Sequence, residues 1–285
     1  MRLLLIFLLL LFTSVLEAKS LFGNDEQLQN SLYTDALKDL LIATQKTRGL
    51  TNSYINGNTS AMLLVYAARD EMKSAIGEME ATTLAADPVI NTRATAISQA
   101  LVKLNRKAFK MSAEDAFSAY TEQISNILML AQTVSKRLSA KLSPFGKDAS
   151  YIMMEIMLPL TEYVGQLRGF GAGLAAKKRA TTQERAKLNV LLKRVKELNR
   201  KMQQELATLV SKHPSKVNSA ILIDAKKIDN MIFAYTKLVQ NRFKNRQILV
   251  NPDEFFEDGT AIINQIITAY NKINKAILED SKGWF

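Results

Sequence analysis

Two stretches decide how this chain folds: SAEDAFSAYTEQISNI at residues 112–127 and NPDEFFEDGTAIINQI at residues 251–266. Each opens on a helix-capping residue, Ser112 or Asn251, followed by acids suited to the positive end of a helix. They align without a gap, so that Phe117 falls on Phe256, Thr121 on Thr260, Ile124 on Ile263 and Ile127 on Ile266. Upstream, Arg48-Gly49-Leu50 has a counterpart in Arg168-Gly169-Phe170. The chain therefore reads as two halves whose first and last helices share a pattern.

Working outward, apolar residues recur at helical rather than alternating spacing, and glycine and proline are few. Breakers predict about eight helices, at roughly 28–56, 60–83, up to 110, 113–142 and 151–178, then three more. Ser143-Pro144-Phe145-Gly146 is expected to separate the halves. Thr181-x-x-Glu184 is a capping-box start, His213-Pro214 ends that helix, the next runs to about Arg242, and Asn251-Pro252 opens the last. Helices joined by short turns most simply pack antiparallel. The expected fold is all-α, with pseudo-repeated antiparallel four-helix bundles at about 28–142 and 150–281, either end to end or as one joint structure.

The ends and the composition bound the function. Met1 and Arg2 precede an unbroken apolar run from Leu3 to Phe12, and Ala18-Lys19-Ser20 follows with small residues two apart. Such a run suits a secretory signal better than the ~20 apolar residues of a membrane span. Residues 1–20 are therefore expected to be a signal peptide cleaved near Ala18 or Ser20, with an uncleaved anchor as the alternative, and the mature protein to be soluble and periplasmic. Cysteine is absent and His213 is the single histidine, which argues against disulfides, thiol catalysis, a metal site or a cofactor. No nucleophile–base pair or glycine-rich phosphate loop is evident, so an enzyme is not expected. The net charge of +11 concentrates in Lys177, Lys178 and Arg179 and along Arg185 to Lys201. These read as a solvated helix face, with attraction of small anions or anionic surfaces at long range as the alternative; without interleaved aromatics, nucleic acid is not the expected partner.

Arg48 and Arg168 are the most informative positions. Counting back four, seven and eleven residues gives Thr44, Leu41 and Leu37 for the first, and Val164, Thr161 and Met157 for the second. Each arginine thus continues a largely apolar helical stripe, where an unpartnered guanidinium costs several kcal/mol. The following glycines, Gly49 and Gly169, cost about 1 kcal/mol each in a helix interior, a cost that a close backbone or ligand would explain. Two kinds of partner are open. One is a carboxylate on a neighbouring helix, for example Glu122 or Glu257. The other is a small planar oxyanion gripped by the forked guanidiniums, with Thr44, Gln45 and Gln166 at its edges. Arg242 and Arg246 are weaker anion candidates that read equally as surface charges.

Gln45-Lys46-Thr47-Arg48-Gly49-Leu50, continuing to Tyr54-Ile55-Asn56-Gly57, resembles the first signature of the nitrate- and nitrite-sensing (NIT) domain family. Residues 253–266 resemble that family's closing helix. Family members usually carry Trp where Phe255 stands, and an acid where Thr47 and Leu167 stand. The resemblance implies a helical pair of bundles that binds nitrate or nitrite, with Arg48 the main ligand, Arg168 its counterpart, and Tyr54, Asn56 and Thr260 around them. Such domains commonly precede a membrane helix or an output domain. This chain reaches Phe285 with neither, so a separate membrane sensor or periplasmic protein is the expected partner, and a homodimer is permitted. The competing function is a helical scaffold with no small ligand, its arginines paired with carboxylates.

Overall fold

A computed structural model describes residues 24–283, and the expected signal peptide lies outside the described residues. The first half comprises α1 (Asp25–Ile55), α2 (Ala61–Glu80), α3 (Pro88–Lys107) and α4 (Ala113–Leu138). The second comprises α5 (Pro144–Ile152), α6 (Leu158–Lys177), α7 (Thr182–Lys212), α8 (Ile221–Arg242) and α9 (Pro252–Ser281). A π-helical turn, Met153–Met157, joins α5 to α6 in one rod, so the described residues form eight rods. The fold is all-α, two four-helix bundles related by a pseudo-repeat.

Local chemistry sets the helix starts. The Ser112 side chain accepts from the Asp115 N–H, and Asn251 accepts from the N–H groups of Asp253 and Glu254, so the aligned caps act alike. Thr181 and Glu184 form both bonds of the capping box. One expectation needs correction. Ser143-Pro144-Phe145-Gly146 does not divide the halves as a loop. Ser143 caps a helix by accepting from the Gly146 N–H at 2.9 Å, and Pro144 takes the first-turn place where its missing N–H costs nothing. The fifth rod therefore begins at residue 144 rather than 151, and the fourth stops at Leu138 rather than 142. Farther along that rod Pro159 cannot donate to the residue four back. The π turn immediately before it relaxes the ladder where that bond is missing.

The bundles lie side by side. Along α1 and α9 the contacts run in opposite senses: Gln27 donates to Asp280, the Tyr270 hydroxyl donates to the Thr34 carbonyl, and Gly49 meets Phe256. Helices α1 and α4 of the first half thus face α6 and α9 of the second. One apolar core runs through both, with Leu37, Leu41, Ile124, Leu160, Ile263 and Ile266 fully or almost fully buried. The four central rods, α1, α4, α6 and α9, enclose the site.

Candidate functional site

Arg48 on α1 is 1% exposed and Arg168 on α6 is 8% exposed. Each is held by the same two elements of the repeated segment. The Arg48 Nη1 donates to the Thr121 hydroxyl at 2.9 Å and its guanidinium lies 4.7 Å from the centre of the Phe117 ring. The Arg168 Nη1 donates to the Thr260 hydroxyl at 2.8 Å and its guanidinium lies 4.3 Å from the centre of the Phe256 ring. The aligned Phe and Thr residues are therefore a cradle for a guanidinium, one on α4 and one on α9. In both cradles the threonine hydroxyl donates to the carbonyl four residues back, of Phe117 or Phe256, leaving its oxygen free to accept from the arginine.

The glycines exchange partners between halves. A Cβ at Gly169 would stand 3.2 Å from the Phe117 ring of the first half, and one at Gly49 would stand 3.7 Å from the Phe256 ring of the second. Each phenyl ring is thus shared between the arginine of its own half and the glycine beside the other arginine. The close approach that the glycines signalled comes from an aromatic ring. Gly259 on α9 makes room for Arg168: a Cβ there would come within 2.8 Å of the arginine's own Cβ and Cγ and 2.9 Å of the Tyr235 hydroxyl.

The symmetry breaks at Glu162. Its side chain is 3% exposed, and its carboxylate accepts from both terminal nitrogens of Arg48, at 2.6 and 3.2 Å. Two amides complete it: Gln45 Nε2 donates at 3.0 Å and Gln166 Nε2 at 2.7 Å. The position matching Glu162 in the first half, six residues before Arg48, is Ile42, so the carboxylate has no twin. Arg168 has no carboxylate within 4.0 Å among the described residues, and its buried Nε has no hydrogen-bond partner. Burial, and then the like charge of Arg48, bring its pKa down from the ordinary guanidinium value to about 10. It therefore stays charged at neutral pH. Two guanidiniums and one carboxylate leave this buried centre with an excess of one positive charge.

The sequence-predicted residues fall into three groups. Arg48, Arg168, Gln45, Gln166, Gly49, Gly169 and Thr260 come together here. Thr44 is buried but turns its hydroxyl to the Leu40 carbonyl at 2.7 Å within its own helix. Tyr54 packs against Phe109 with the ring centres 4.6 Å apart and the planes tilted by 50°, Asn56 caps the end of α1, and Arg242 and Arg246 are exposed at and beyond the end of α8. The suggested carboxylates, Glu122 and Glu257, are exposed and neither pairs with an arginine, because each follows its cradle threonine or precedes it outside the buried stripe. Sequence reasoning missed Glu162, although a signal existed: it is the single acid between Glu155 and Glu184, set in a run of core residues. Among the described residues no group of His, Asp and Glu is placed to hold a metal, and no helix is long and apolar enough to cross a membrane.

The described residues form a tandem helical bundle with two buried guanidiniums in matching cradles at the seam of its halves. The family described as nitrate and nitrite sensing matches residues 39–280, and the chain belongs to that NIT family, a sensory family. The solved structure of the NasR transcription antiterminator is similar, with a TM-score of 0.71 over 95% of this chain and 74% of that one. At 14% identity that likeness concerns the fold. A comparison with curated protein sequences finds no match.

Proposed function

We propose that this protein senses nitrate or nitrite by holding one planar oxyanion between Arg48 and Arg168, at the seam of its two halves. The observation that carries this reading is the surplus buried charge: of two buried guanidiniums only Arg48 is paired with a carboxylate, and Arg168 Nε is a buried donor with nothing to donate to. An unpaired buried cation is costly, so a monoanion of matching planar geometry gains both its charge and its hydrogen bonds. Gln45 and Gln166 supply further donors at the edge of the site. An anion touching arginines of both halves favours the arrangement that brings α1 and α6 closer, and it shifts the population only by its difference in affinity for the two arrangements. The shared Phe117 and Phe256 rings carry that shift across the seam, because each touches both halves.

The test is a calorimetric titration of the purified protein with nitrate and with nitrite, beside a rise in thermal midpoint with ligand. Saturable heat that Arg168→Gln abolishes is the expected result. No heat with either anion ends the reading. A second reading is favoured by the Arg48–Glu162 pair itself: a scaffold whose arginine is already neutralised and that needs no ligand. It predicts that neither anion alters the melting curve. Non-enzymatic signalling to a separate membrane or periplasmic protein, and export through residues 1–20, belong to the same proposal. Export is tested by sequencing the amino terminus of the secreted protein, expected at Lys19 or Leu21. The expectation that nucleic acid is not a partner draws nothing from a neighbour that is a transcription antiterminator, and rests only on basic stretches that lack interleaved aromatics.

A further inference from the structure

Glu162 does something the twinned arrangement does not require. The repeat supplies two equivalent cradles, each with its Phe, Thr and Arg, and a single carboxylate is set into one of them. This carboxylate is no incidental surface pairing. It is 3% exposed, it takes both terminal nitrogens of Arg48, and two glutamine amides hold it in place from α1 and from its own helix. Charged residues buried within the four central helices are few: Lys38, Arg48, Glu162 and Arg168. Lys38 has its own partners in Asp35 and Asp39, and it lies ten residues before Arg48, roughly 15 Å along the helix. The charge facing the arginine seam is therefore that of two guanidiniums and one carboxylate.

We infer that Glu162 is the specificity-determining residue of the anion site, fixing its charge at +1 so that it accepts monoanions and rejects dianions. This rests on the reading that an oxyanion binds at the Arg48–Arg168 seam. A buried cluster is least costly when its charges sum to zero, since each uncompensated charge bears its full desolvation. With Glu162 present, a monoanion brings the sum to zero and a dianion leaves it at −1. Without the carboxylate the free site stands at +2, and it is the dianion that brings neutrality. Shape cannot make this distinction alone, because a guanidinium fork accepts planar and tetrahedral oxyanions alike. Charge can. At the few ångströms that separate groups in this seam, one unit of charge alters the relative binding of dianion and monoanion by roughly ten- to hundred-fold even with strong dielectric screening.

The test pairs two anions of one shape and different charge, perchlorate and sulfate, with nitrate as reference, on the wild-type protein and on Glu162→Gln. Nitrate and perchlorate should bind the wild type with sulfate excluded. In Glu162→Gln the sulfate-to-perchlorate affinity ratio should rise at least ten-fold. An unchanged ratio, or no sulfate binding by the variant while nitrate still binds the wild type, overturns the role of Glu162 and leaves the oxyanion reading intact. Nitrate and nitrite binding by neither protein removes that reading and this inference with it. Should the variant need an anion in order to fold, sulfate must raise its thermal midpoint more than perchlorate does at equal millimolar concentration, relative to wild type. No difference, or the reverse order, overturns the inference equally.

Discussion

Arg48 and Arg168 are twins in the repeat, yet the ligand-free protein should respond to their loss in opposite ways. Consider Arg48→Met and Arg168→Met, each preserving bulk while removing charge. The first deletes three hydrogen bonds, one to Thr121 and two to Glu162, and leaves a carboxylate 3% exposed with only the Gln45 and Gln166 amides to satisfy it. Breaking a buried pair in this manner costs about 3–5 kcal/mol. For a protein of this size each kcal/mol lowers the midpoint by about 2–4 °C, so a loss of roughly 10 °C is expected. Arg168 starts from the other side. Its pKa, brought down from the ordinary guanidinium value to about 10, corresponds to roughly 3 kcal/mol of unfavourable folding contribution at neutral pH. The sign follows from linkage: the penalty is present while the group is charged in both states and is relieved only as pH rises above about 10. Methionine removes that penalty and forfeits the Thr260 hydrogen bond and the Phe256 ring contact, about 1 kcal/mol each. Arg168→Met should therefore lie within about 1–2 kcal/mol of wild type, with neutral or slightly raised stability. Urea denaturation and circular-dichroism melts in a nitrate-free buffer measure both variants. Equal losses for the two variants would refute the claim that Glu162 serves Arg48 alone and that Arg168 carries the surplus charge.

Two further perturbations test the frame around the site. Gly259→Ala should place a methyl within 2.8 Å of the Arg168 stem, displacing the guanidinium; a loss of about 1–3 kcal/mol is expected together with weakened anion binding, read from a melt and a nitrate titration. At the opposite end Asp280 ties together Gln27, Ser143 and Lys216; burial raises its pKa, but the hydrogen bonds from Gln27, Lys216 and Ser143 outweigh that and hold it below the usual carboxylate range. Its contribution is present above the unfolded carboxylate pKa and disappears as pH falls through the lower folded value, so Asp280→Asn should flatten the acid limb of the stability–pH curve and lower stability near pH 7 by about 1–3 kcal/mol.

The fold was legible because it is written redundantly. Caps at Ser112, Thr181 and Asn251, the breaker at His213-Pro214, and the gapless match of residues 112–127 to 251–266 all point to eight helices in two halves. The misread boundary at Pro144 had a local cause: the same proline that ends a helix from outside also starts one from within, and the Ser143 cap decides which. The arginines were legible as charges on apolar stripes. Their cradle was half legible, since the alignment paired Phe117 with Phe256 and Thr121 with Thr260 without saying what those residues hold. Glu162 was not, because stripe counting follows offsets of four, seven and eleven, and six residues separate it from Arg168. Its true partner is on another helix, and which helices adjoin is a property of packing that periodicity does not encode.

That asymmetry bears on how such a protein could signal. In a perfectly twinned site an anion would meet two equivalent arginines, and both halves would respond alike. Here one arginine is already neutralised by a carboxylate of the opposite half, since Arg48 is on α1 and Glu162 on α6. The Arg48–Glu162 pair thus already ties the halves together without any ligand, and the free charge resides on Arg168, supported from α9 through Thr260 and Phe256. An anion held between the two arginines, as proposed above, would therefore meet its unpaired charge on Arg168 while Arg48 stays tied to Glu162. Phe256 lies against Gly49 across the seam, so movement of the second cradle would also be felt at the first.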